Sequence, residues 1–140
     1  MAGLFCDTSG WGHLVDPAQA HHSLATSLYR TARENKTRVI TTNYIITELV
    51  ALFTSPLRIP RPTTIAFIES VKSSPHVEIV HIDQTLDIRS WELLANRQDK
   101  DWSLVDCASF VVMRERGIEE ALTTDHNFEQ AGFIRLLRNG

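Results

Sequence analysis

Two apolar spacings alternate along this chain. Short consecutive apolar or β-branched runs give way to longer stretches in which apolar side chains return every three or four residues. The first pattern predicts buried strands and the second amphipathic helices. A strand is expected over 2–6, ending at Asp7. Asp16-Pro17 predicts a helix start, an acidic cap with proline in the first turn, and that helix places Leu24, Leu28 and Ala32 on one face and ends near Asn35. The run RVIT (38–41) predicts a second strand. Thr42 or Asn43 caps the next helix, with Ile45, Leu49, Leu52 and Phe53 inward. The segment SPLRIPRP is too rich in proline for either element. A helix follows over 63–72, then a third strand over 77–82 (VEIVHI). Asp83 caps a helix carrying Leu86, Trp91, Leu94 and Ala95, and Ser103 caps another that stops at Gly117. A fourth strand over 121–124 ends at Asp125, and FIRLL (133–137) predicts a fifth.

Strand and helix in alternation, with short apolar strands, predict an α/β fold: a mainly parallel five-stranded sheet with helices on both faces. Crossovers are expected to be right-handed, and ligands to bind beyond the carboxyl ends of the strands. No repeat or Gly/Ser linker divides the 140 residues, so 1–140 is expected to be one domain. With 43% apolar residues the chain can build a core, yet no stretch approaches the roughly 20 apolar residues that span a bilayer. The start MAGLFCDTSG has no basic, long apolar leader, which predicts a cytoplasmic protein. Cys6 and Cys107 have no disulfide or zinc spacing and are expected to be buried thiols. A net charge of −3 argues against a protein that coats nucleic acid by bulk attraction, but leaves room for an enzyme that grips a few phosphates.

Four acids gather where such a sheet binds ligands. Asp7 and Asp125 directly follow the first and fourth strands. Glu48 lies in the second turn of the helix after the second strand, and Asp106 in the first turn after its cap, Ser103. Two carboxylates about 4 Å apart repel by roughly 4 kcal/mol at an effective dielectric near 20. A divalent cation removes that conflict, and an all-oxygen donor set selects magnesium or manganese over zinc. Such an ion favours phosphate oxygens and phosphoryl chemistry. Each acid also has a plainer use. Asp7 can cap a helix beginning at Thr8, Asp106 can complete a capping box with Ser103, and Asp125 can cap a short turn. Glu48 sits within YIITELVALF, where a carboxylate beside a buried face calls for a partner or a metal. Asp16 and Asp83 read as caps, Asp101 as the reserve fifth acid, His21-His22 as a solvated helix face, and His126 as a neighbour of the site.

The segments LFCDTSGW, TTNYIITELVAL, DKDWSLVDCASFVVM and ALTTDHNFEQAGF, in that order, resemble the four motifs of PIN domains, and among these the VapC-like toxins of type II toxin–antitoxin pairs. The resemblance implies a PIN-like three-layer α/β/α fold and a magnesium- or manganese-dependent endoribonuclease acting on single-stranded or structured RNA. Asp7, Glu48, Asp106 and Asp125 take the acidic positions. Thr8, Ser9, Thr124 and Ser103 are implied as supporting hydroxyls, and Phe128 as packing after the last acid. A homodimer, a blocking antitoxin, and products carrying 5′-phosphate and 3′-hydroxyl ends are implied as well. Arg58 with Arg61, or Lys100 with Arg97, are candidates to steer RNA, or ordinary surface charges. Of the rivals, a phosphoacceptor signalling domain wants a lysine after the final strand, where FIRLLRNG offers arginine. A dehalogenase-like phosphatase wants an acid where Ser9 stands. A catalytically silent PIN scaffold would not need all four acids. Dinucleotide and P-loop glycine patterns are absent.

Overall fold

A computed structural model describes residues 3–139. Its elements run β1 (Leu4–Cys6), α1 (Thr8–Val15), α2 (His22–Glu34), β2 (Val39–Thr42), α3 (Asn43–Thr54), α4 (Arg61–Ser73), β3 (Val77–Val80), α5 (Gln84–Asn96), α6 (Leu104–Arg116), β4 (Glu120–Leu122), α7 (Asn127–Gln130) and β5 (Ile134–Arg135). The five strands found among the described residues form one sheet in the order β3-β2-β1-β4-β5, and every pairing is parallel. All residues of β1 and β2 are buried, as happens when helices cover both faces of a parallel sheet. The expected α/β/α architecture is therefore the one observed. The chain leaves β1 toward β2 and β3 on one side, then returns to β4 and β5 on the other. The β1/β4 boundary is thus the switch point, where the loops diverge and leave a crevice.

Several boundaries differ from the sequence expectation, each for a local reason. The helix expected from Asp16-Pro17 starts later than its cap signal, and a separate helix, α1, precedes Asp16. Asp16 instead makes a turn, accepting from the Ala18 amide at 3.0 Å and the Gln19 side chain at 2.9 Å, and α2 starts only at His22. An Asp that bonds its own neighbours competes with the helix it was expected to cap. Helix α4 begins two residues early, because Pro62 fits the first turn of a helix. Three strands are shorter than their apolar runs: β3 ends at Val80, β4 covers Glu120–Leu122, and β5 is only Ile134–Arg135. The apolar run marks the buried stretch, whereas pairing ends where the neighbouring strand ends. Of the first expected strand, Ala2 lies outside the described residues.

Aromatic packing sets the segments that carry the later acids. The Phe110 ring stands 4.9 Å from Phe128 and 5.0 Å from Trp102, both edge-on, and Phe128 reaches Phe5 of β1 at 6.2 Å. These contacts fasten α6 and α7 to the central strand. Both cysteines are buried free thiols, as expected.

Helix α1 presses unusually close to the sheet. A Cβ built on Gly10 would stand 2.1 Å from the Leu122 carbonyl oxygen and 2.8 Å from Cys6 Sγ. The first obstacle is backbone of β4 and cannot swing aside. We expect Gly10→Ala to cost about 3 kcal/mol, the upper range of overpacking penalties, and to lower the melting temperature by about 10 °C. A thermal melt within a degree or two of wild type would show that α1 does not need this approach.

Candidate active site

Asp7 leaves β1 and turns the chain into α1. Its Oδ1 accepts from the Gly10 amide at 2.9 Å, the N-cap bond of that helix, and from the Ser9 hydroxyl at 2.8 Å. Its Oδ2 accepts from the Thr123 hydroxyl at 2.6 Å, just beyond β4. Thr123 Oγ1 in turn accepts from the Asp125 amide at 2.9 Å, and Ser9 Oγ accepts from the Thr124 amide at 3.0 Å. Ser9 and Thr123 each have one hydroxyl proton, and both protons go to Asp7. One carboxylate therefore ties the exits of β1 and β4 together at the switch point.

Asp106 is the third residue of α6 and forms a capping box. Its Oδ2 accepts from the Ser103 amide at 3.1 Å while Ser103 Oγ accepts from the Asp106 amide at 3.0 Å. Asn127 joins this acid to the next. Its Nδ2 donates to Asp106 Oδ2 at 3.2 Å and lies 3.5 Å from Asp125 Oδ2. Asp125 Oδ1 accepts from the Asn127 amide at 2.9 Å. Glu48 lies in the second turn of α3, where its Oε1 takes the Thr8 hydroxyl. Four segments thus bring one acid each to one rim. Glu48 is exposed rather than half-buried, so its partner is a hydroxyl at the rim and the apolar neighbours in its sequence turn away from it.

The fields follow from this crowding. Burial pushes the Asp7 carboxyl up to about 7, and the Asp125 charge adds to the rise, against the pull of the Thr123, Gly10 and Ser9 bonds. Burial also raises Asp106, assisted by the charges of Asp125 and Glu48, while Ser103 and Asn127 oppose. Asp125 therefore acts on both neighbours, and Glu48 on Asp106.

The plain structural uses and the site coexist, because a carboxylate offers about four lone-pair positions. Asp7 commits three. Among the described residues Asp106 Oδ1 and Glu48 Oε2 have no hydrogen-bond donor. No three Asp, Glu, His or Cys side chains among the described residues close on one point as a ready-made ion cage. The acids line an open rim with oxygens to spare. An all-oxygen rim fits magnesium or manganese, which need one or two carboxylates and keep several waters.

Two supporting expectations are corrected. The hydroxyl beside Asp7 belongs to Thr123, not Thr124. Successive residues at the end of a strand point to opposite sides, so Thr123 and Asp125 face Asp7 while Thr124 lines a separate cavity. Asp101 is exposed, with no hydrogen bond or ion pair to the four acids among the described residues. Thr8, Ser9 and Ser103 do reach the acids, Ser103 as the cap that orients Asp106. The sequence reading missed Thr123 and Asn127. Both stand two residues from Asp125, and the two-residue period of an extended exit is the signal that would have found Thr123. His126 is exposed, its Nδ1 3.9 Å from Asp125 Oδ1. Arg97 is spent on Asp99 through two bonds of 3.0 Å and lies over Trp102, and Arg61 bonds Thr54.

The profile of the PIN domain family matches residues 4–134. The chain is 30% identical over 133 residues to the 23S rRNA-specific endonuclease VapC20 of Mycobacterium tuberculosis, in strains CDC 1551 and H37Rv, across 95% of this chain and 97% of that protein. It is also similar to the crystal structure of Mycobacterium tuberculosis VapC20, a sarcin-ricin loop cleaving toxin, with a TM-score of 0.84 over 94% of this chain and 97% of that one. Among the described residues no helix is long and apolar enough to cross a membrane. With its acids at the switch point of a five-stranded parallel sheet, this chain belongs to the PIN domain family.

Proposed function

We propose that residues 1–140 act as one nuclease domain, a magnesium- or manganese-dependent endoribonuclease that is the toxin of a toxin–antitoxin pair. The observation that carries this reading is the convergence of Asp7, Glu48, Asp106 and Asp125 from four segments on one rim, with the Asp7 carboxyl pushed up to about 7 by burial. Asp7, Asp106 and Asp125 would hold the ion, and Glu48 would complete the shell or orient the attacking water. An ion held there supplies Lewis acidity toward nucleophile and phosphate alike. Ser9 and Thr123 fix the angle of Asp7, Asn127 spaces Asp106 from Asp125, and Thr8 orients Glu48. Hydrolysis by in-line attack leaves 5′-phosphate and 3′-hydroxyl ends. RNA is the substrate in this reading, and because the matched relative acts on 23S rRNA, a ribosomal hairpin is the first RNA to try. A cognate antitoxin, a homodimer and a cytoplasmic location belong to the same proposal, supported by the relative's being a toxin.

Asp7→Asn and Asp106→Asn keep the size of each side chain and remove one charge. Each should lower magnesium-dependent RNA cleavage by at least about 100-fold, or about 2.7 kcal/mol of barrier. Undiminished cleavage by both variants would remove the mechanism.

The raised Asp7 carboxyl also sets a pH dependence in the metal-free protein. Its folded value, about 7, lies above the ordinary 3.8, so its contribution is fully present below about 4 and is lost as pH rises through 7. In EDTA, the melting temperature of Asp7→Asn should therefore gain on wild type between pH 4 and about 7. A constant difference across that window would show that Asp7 is not strained by ionisation.

Magnesium reverses the balance by binding the folded chain. It should raise the wild-type melting temperature at pH 7.5, and raise that of Asp106→Asn by less. Equal rises would place the ion elsewhere.

A further inference from the structure

The proposed nuclease faces an electrostatic problem: a rim of four acids on a chain of net charge −3 repels the RNA it must hold. Of the basic residues singled out from the sequence, Arg97 and Arg61 are already engaged. Another pair does stand beside the rim. Thr124, whose two neighbours Thr123 and Asp125 serve the acids, turns its own side chain into a cavity of about 540 Å³, walled also by His21, Arg135, Leu137, Arg138 and Asn139.

The cavity is built rather than incidental. Arg135 Nη1 donates to the Thr124 carbonyl at 2.9 Å, which fixes this guanidinium one residue from Asp125. Glu129 holds both arginines from behind, with Oε1 3.0 Å from Arg135 Nε and Oε2 accepting from Arg138 Nη1 at 3.1 Å. Arg135 Nε nevertheless lacks the alignment of a hydrogen bond. The Arg135 side chain is only 23% exposed, unlike an ordinary surface ion pair. One carboxylate against two guanidinium groups leaves one positive charge. Among the described residues both Nη2 groups remain undonated. The His21 ring lies tilted against that of His13 with centroids 5.4 Å apart, and its ring nitrogens carry no hydrogen bond among the described residues.

We propose that this cavity binds a backbone phosphate of the RNA substrate, next along the strand to the phosphate cleaved at the acids. Arg138 and Arg135 are the recognising groups, and His21 and Asn139 are flanking donors. The inference rests on the nuclease reading above. Guanidinium forks match phosphate oxygens, and a site one residue from Asp125 lies within a nucleotide's reach of the rim. Such a site lets a chain of negative net charge hold RNA by a local grip and recruits no base identity. Arg135 and Arg138 are therefore substrate-binding residues in this proposal, while the acids perform the chemistry.

The test uses the whole protein and Arg138, the more exposed of the two, whose loss leaves the Thr124 bond intact. Binding of a fluorescent single-stranded RNA oligonucleotide is measured in EDTA over a range of salt, and cleavage is measured in magnesium with RNA and with bis(p-nitrophenyl) phosphate, which has no second phosphate to place in the cavity. Arg138→Ala should weaken oligonucleotide binding about 5–10-fold and flatten the slope of log affinity against log salt by about 0.7, one phosphate contact on a single strand. Arg138→Lys should keep most of the slope. KM for RNA should rise with kcat retained, and cleavage of the small diester should not change. Unchanged binding and slope in Arg138→Ala, while wild type cleaves RNA, would overturn the phosphate site and leave the nuclease reading standing. Equal loss on the small diester would also overturn it, by showing a general disturbance of the fold. Failure of wild type to cleave any RNA in magnesium would instead sink the nuclease reading itself.

Discussion

The carboxylate of Asp7 is the point on which the rest of the molecule turns. It ends the central strand, caps the helix that follows, and bonds through Thr123 to the exit of β4. These bonds keep a buried acid in place at the switch point of the sheet. They also explain why α1 can carry two glycines and still be a helix. Its start is pinned by the cap, and Gly10 is required by the nearness of the Leu122 carbonyl. Local propensity disfavours that helix, and tertiary fit imposes it.

Burying such a group has a cost that the fold does not remove. Three hydrogen bonds favour the ionised form of Asp7, yet desolvation outweighs them, and the Asp125 charge works in the same direction. Asp106 shows the same imbalance in milder form. Ionisation of these acids is thus opposed until a compensating positive charge is present, which supports the proposed metal-dependent hydrolase. Asn127, a neutral donor between Asp106 and Asp125, makes their approach tolerable in the interval.

Capping and the proposed chemistry fall on the same side chains. Asp7 caps α1, Asp106 completes the box of α6, and Asp125 bonds the first amide of α7. A helix start next to a strand exit lies at the ligand-binding edge of a parallel sheet, so a cap placed there is already at the rim. The cap spends some lone pairs, fixes the rotamer, and leaves others for a ligand. The structural use of these acids and the function proposed for them are therefore one arrangement.

Much of this was legible in the residues. The alternation of apolar spacings determined a parallel α/β sheet, the caps at Thr42, Asp83 and Ser103 determined three helix starts, and the order of four acidic motifs determined the family. These depend on short-range rules: side-chain period, capping bonds, glycine at a helix end. Only the tertiary structure decided that Asp7 does cap α1 while Asp16 makes a turn, that Glu48 stands in solvent against Thr8, and that Asn127 bridges two acids. It also decided that Thr123 rather than Thr124 serves Asp7, and that Arg135 and Arg138 meet at Glu129 beside the rim. Those facts hinge on which way a side chain points once distant segments are packed. A one-residue change of facing separates a hydroxyl at the acids from one in the next cavity, and no pattern along the chain encodes a distance between segments more than a hundred residues apart.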